Sequence, residues 1–154
     1  MNWQQFVTES SRTWDPQSDK ATREHAMLGM MGELGEIVEL KKKSKYNGIP
    51  FSTNKLAEEI GDWLWYYARH PEHGSLNRVM QVYESRDFAE VARVAMAYLC
   101  DDQLQEAAIG VLSIAALYDI TLEECLVANV AKLQTRYPDG FVPGGGIRKG
   151  EGTK

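Results

Sequence analysis

The sequence predicts an all-α protein, and three observations carry that prediction. Apolar residues recur at three- and four-residue intervals, as in Met27, Met30, Leu34, Ile37 and Val38, and again in Leu56, Ile60, Trp63, Leu64 and Tyr67. Capping residues precede such stretches, most clearly in Thr121-Leu-Glu-Glu124, which has the capping-box form. Helix breakers fall between them, at Trp14-Asp15-Pro16, at Tyr46-Asn47-Gly48-Ile49-Pro50 and at His70-Pro71-Glu72-His73-Gly74.

The elements follow in order. Asn2 to Arg12 forms a short first helix with Trp3, Phe6 and Val7 on one side, read as core, and Pro16 ends it. Asp19 or Thr22 caps a second helix that runs to about Lys45. Its basic end, Lys41, Lys42, Lys43 and Lys45, complements the helix dipole. Ser52 or Thr53 caps a third helix that reaches about Arg69. His70 and His73 flank a proline in a loop without other metal ligands nearby. Leu76 to Cys100 reads as two helices broken near Ser85 to Asp87. Asp101 then caps an apolar helix from about Asp102 to Tyr118. The last helix, from Thr121, buries Leu122, Leu126, Val130 and Leu133 and carries a separate polar row of Asn129, Lys132 and Arg136. An amide, an ammonium and a guanidinium in line suit a polyphosphate. Residues 1–138 therefore form one domain, and the Gly-rich stretch 139–154, with Arg148 and Lys149, reads as a flexible tail.

Composition narrows the function. A chain of 154 residues, 44% hydrophobic and 25% charged, supports one soluble globular domain with a real core. A net charge of -5 argues against binding of polymeric nucleic acid. It leaves a nucleotide substrate open, because a bound metal reverses the local sign. No apolar run approaches the roughly 20 residues of a membrane span, and Met1 to Lys20 lacks the pattern of a signal peptide. Cys100 and Cys125 are isolated and read as reduced structural thiols, which makes the expected location cytoplasmic.

The candidate chemistry sits on the second and third helices. Glu33 with Glu36, and Glu59 with Asp62, are carboxylates three residues apart, neighbours on a helix surface. Measured from the centre of the apolar stripe, Glu33 and Glu36 lie about 110° and 170° to one side; Glu59 and Asp62 lie about 100° and 160° to the same side. An antiparallel hairpin brings equal offsets to one side, and both pairs stand roughly two to three turns from the loop. Four carboxylates then converge. They must take up protons or share a cation, and an all-oxygen set favours Mg²⁺, with Mn²⁺ as the second choice. A single ExxE is ordinary helix surface; two matched pairs point to a site.

These blocks resemble the MazG-like, all-α nucleoside triphosphate pyrophosphohydrolases. The family pattern is ExxE, a variable spacer, then ExxD, here Glu33-x-x-Glu36 and Glu59-x-x-Asp62. The contexts Gly-Glu-Leu-Gly-Glu-Ile at 32–37 and Glu-Glu-Ile-Gly-Asp-Trp-Leu at 58–64 match as well. So do Leu117 to Glu124, Asn129-Val-Ala-Lys132 and Arg136 to Phe141. The chain departs from simple members in residues of about 70–104, which intervene before the closing helical segment. The resemblance implies a helical bundle of that type with an inserted helical pair. It also implies Mg²⁺-dependent hydrolysis of a (deoxy)nucleoside triphosphate to monophosphate and pyrophosphate, with the ion on Glu33, Glu36, Glu59 and Asp62. Asn129, Lys132, Arg136 and, less centrally, Lys55 would neutralise the phosphates; Trp65 and Tyr66 read first as core or interface packing and only second as a surface for the base. A homo-oligomer, dimer or tetramer, is implied too. The rival readings are a non-catalytic helical interaction module, or a related enzyme acting on another nucleotide such as an alarmone.

Overall fold

A computed structural model describes residues 1–15, 18–76 and 82–140. Among them are six α-helices, one 3-10 turn at Ser11–Thr13 and no strand. The helices are α1 (Trp3–Ser10), α2 (Asp19–Tyr46), α3 (Thr53–Tyr67), α4 (Phe88–Cys100), α5 (Leu104–Ala116) and α6 (Leu122–Arg136). The fold is all-α. No helix among the described residues is long and apolar enough to cross a membrane.

The helix starts follow from local side-chain chemistry. Asn2 and Gln5 form a reciprocal capping box on α1, and Thr121 and Glu124 form another on α6. Ser18, rather than Asp19 or Thr22, caps α2 by accepting from the Ala21 amide. Asp19 is instead the first helical residue, where its charge meets the positive end of the dipole. Ser52 caps α3, accepting from the Lys55 amide at 3.2 Å.

α3 is the central helix and packs against α2, α5 and α6. Its sequence explains that position: Leu56, Ile60, Trp63, Leu64 and Tyr67 are all fully buried. Met30, Leu34 and Ile37 of α2 join the same core, as do Trp3 and Phe6 of α1. α4 pairs with α5 and also touches α2. The approach of α3 to α6 depends on Gly61. A Cβ there would lie 2.6 Å from the Cys125 carbonyl oxygen and 2.8 Å from the Asn129 Cβ, so the two helices meet backbone to side chain.

Two expectations are corrected in the segment between α3 and α6. Of the helical pair expected over Leu76 to Cys100, α4 forms and residues 82–87 are non-helical, while 77–81 lie outside the described residues. The Tyr83 amide donates to the Ser113 hydroxyl of α5 at 2.9 Å, and Asp87 caps α4 through the Glu90 amide. Asp101 does not cap α5, whose first residue is Leu104. Asp102 adopts a left-handed conformation (φ 60°) and closes α4, with the Gln103 amide on the Tyr98 carbonyl and the Asp102 amide on that of Leu99. This is the Schellman pattern. Asp119 (φ 57°) ends α5 in the same way. The expected tail beyond Gly140, with Arg148 and Lys149, lies outside the described residues.

Candidate functional site

Glu33 of α2 and Glu59 and Asp62 of α3 meet at one place. One carboxylate oxygen from each lies within 4.8 Å of the others. Glu59 is buried, and Glu33 and Asp62 are half-buried. Like charges at this range in a partly dehydrated setting disfavour full ionisation. Burial pushes the Glu33 carboxyl up to about 7, and Asp62, Glu36 and Glu59 push it in the same direction, while Lys132 opposes them.

Glu36 stands apart from this triad. It is exposed on α2, close enough for its charge to act on Glu33 but outside the convergent group. Its counterpart Asp62 has a similar offset from its own core stripe but is drawn in because α6 covers that side of α3. Among the described residues no helix covers α2 in the same way at Gly32, Gly35 and Glu36, where the surface is open.

α6 supplies the polar partners. Asn129 is buried and donates from Nδ2 to Asp62 Oδ1 at 2.7 Å; the Lys132 ammonium contacts Asp62 Oδ2. Lys55, a turn before Glu59, reaches Glu59 Oε1 at 2.9 Å and Glu58 Oε2 at 3.1 Å. Asn129 and Lys132, read from the sequence as phosphate contacts, therefore hold Asp62, and Lys55 holds Glu59. Arg136, one turn beyond Lys132, lines the adjoining cavity of about 150 Å³.

Glu33, Asp62 and Asn129 form one end of that cavity, and Trp65, Tyr66 and Tyr137 form its aromatic wall. Trp65 is fixed by its indole N–H, which donates to the Ser10 carbonyl and the Thr13 hydroxyl, both at 3.1 Å. Tyr66 lies across α2 at Gly29, where a Cβ would fall 2.2 Å from its ring. Trp14 packs on Trp65 and His25, with ring centroids at 5.1 and 4.6 Å. Thr13, Trp14, His25 and Tyr137 were not legible as part of a site. The available signal was a Trp beside a helix break, where no core stripe accounts for it.

Other sequence candidates have structural roles. His70 is buried and accepts the Glu72 amide on Nδ1, which organises its own loop. Lys41 donates to the Tyr118 hydroxyl at 2.9 Å and sits over the rings of Phe51, Phe88 and Tyr118. Lys42 and Lys43 pair with Glu39. Both cysteines are free, and burial pushes the Cys125 thiol up to about 12, which leaves it unreactive.

The donor set fits a hard divalent cation. All three convergent groups are carboxylates, and burial, reinforced by the neighbouring carboxylates, leaves Glu33 only weakly acidic. Beside them the Asn129 Oδ1 is buried without a hydrogen-bond partner among the described residues. Comparison with known protein families, with curated proteins and with solved structures finds no match to this chain.

Proposed function

We propose that this protein is a Mg²⁺-dependent nucleoside triphosphate pyrophosphohydrolase of the MazG-like, all-α type. The observation that carries the reading is the convergence of Glu33, Glu59 and Asp62 within 4.8 Å beside a cavity walled by aromatic rings and Arg136. These residues are also the ones that match the ExxE and ExxD blocks. Glu33, Glu59 and Asp62 would hold the ion, Mg²⁺ or Mn²⁺, with Glu36 adding negative charge from the adjacent turn. When bound, a divalent ion polarises a phosphoryl group and lowers the pKa of a coordinated water.

The remaining work falls to the chain itself. Asn129 keeps Asp62 oriented, and Lys55 keeps Glu59 oriented. Arg136 offers a planar fork to phosphate oxygens at the cavity wall. Trp65, Tyr66 and Tyr137 give a base an apolar surface and exclude water from one side. The reaction places water across the bond between the α- and β-phosphates and releases pyrophosphate with the nucleoside monophosphate. Free thiols at Cys100 and Cys125 fit a cytoplasmic setting. A homo-oligomer belongs to the same proposal and is read directly by sedimentation.

The test is a screen of common and modified nucleotides for pyrophosphate release, with Mg²⁺ and with chelator. Asp62→Ala is expected to reduce release at least about a hundredfold while the helical circular dichroism persists. Full turnover in that variant, or release insensitive to chelator, removes the site. Release from a diphosphate or alarmone alone would move the substrate class and keep the metal centre.

A further inference from the structure

We infer that Lys132 is a resident counter-ion for Asp62, which a divalent cation displaces on loading the site, so that loading frees an ammonium for the anionic substrate. This rests on the metal-site reading above.

Both oxygens of Asp62 are taken by α6, one by the Asn129 amide and the other by the Lys132 ammonium. The pair is well shielded: the Asp62 and Lys132 side chains are 17% and 20% exposed. A divalent cation bound to Asp62 would sit within a few ångströms of that ammonium. Two such cations repel at this range, so each weakens the other's hold on the carboxylate.

The two partners differ in what they can give up. Asn129 is 1% exposed, and its backbone and Cβ are pressed against Gly61, so it stays where it is. Lys132 carries its charge on a four-carbon stem and can swing away. Arg136, a turn further along the same face of α6, lines the cavity that Asp62 and Asn129 also line, so Lys132 stands between Asp62 and a second cation at that cavity. The orphaned Asn129 Oδ1 is a second, independent sign that this corner is built for a further partner.

Linkage follows. The cation and the triphosphate bind with positive cooperativity that runs through Lys132, and each tightens the other by the same factor. The experiment titrates Mn²⁺ alone into the full chain by calorimetry, then repeats it with the α,β-imido analogue of dATP present. Lys132→Met is expected to bind Mn²⁺ about five- to tenfold more tightly than the unaltered chain without nucleotide, and to lose most of the tightening by the analogue. Lys132→Gln, which keeps a polar head, should move in the same direction and covers the case of a poorly folded Met variant. A merely structural Lys132 would give weaker or equal Mn²⁺ binding in both variants, which overturns the inference and leaves the metal site standing. If the unaltered chain binds no Mn²⁺ and Asp62→Asn changes nothing, the metal-site reading fails and takes this one with it.

Discussion

Glu33 shows how one side chain reports on a whole site. Its carboxyl is raised from 4.5 to about 7, first by burial and then by three neighbouring carboxylates. The folded state therefore keeps a proton that the unfolded chain has already lost. Without a divalent ion, stability should fall as pH rises from about 4.5 to 7, and the full penalty should be present above 7. With partial solvent screening the effect is about 1–3 kcal/mol. Thermal melts in chelator across this window should show the fall in the unaltered chain. Glu33→Gln should remove it and melt higher at neutral pH. A Glu33→Gln curve parallel to the parent would rule out this carboxyl as the origin. Glu36, exposed and outside the triad, is expected to matter less: Glu36→Ala should weaken Mn²⁺ binding by a smaller factor than Asp62→Ala in side-by-side titrations.

At the scale of elements, the site is an outcome of how α6 seats on α3. Gly61 permits that seat, since a Cβ there would press into the Cys125 carbonyl and the Asn129 side chain. Gly61→Ala is expected to cost about 1–3 kcal/mol in urea denaturation and to lower cation affinity together with stability, because the shift displaces Asn129, whose amide orients Asp62. Unchanged cation binding in a destabilised Gly61→Ala chain would show that α6 does not set the metal geometry. The helical periods of α2, α3 and α6 were readable because each has a continuous apolar stripe. Residues 82–87, before α4, depart from their helical expectation for an equally physical reason. Val82 and Tyr83 carry helical spacing, yet the Tyr83 amide is satisfied by Ser113 of a distant helix, and local periodicity contains no information about that bond.

Over the whole molecule, the triad is an electrostatic liability that a bound ion would turn into an asset. A cation at a hundred times its Kd adds about 2.7 kcal/mol to folding stability, and chelation withdraws it. Melting temperature should therefore rise with Mg²⁺ or Mn²⁺ and not with an equal ionic strength of Na⁺; an equal response to both would make the effect simple screening. By itself the sequence determined the all-α class, the hairpin of α2 and α3, and the register that points Glu33, Glu59 and Asp62 to one side, because periodicity and capping are local properties of the chain. Only the tertiary structure decided that Glu36 stays outside while Asp62 is enclosed. It also decided that Asn129 and Lys132 grip a carboxylate, and that Trp14 and His25 stand behind the aromatic wall. Those facts depend on which helix covers which, and the docking of α6 and the first turn onto α3 is set by long-range packing that no short stretch of residues encodes.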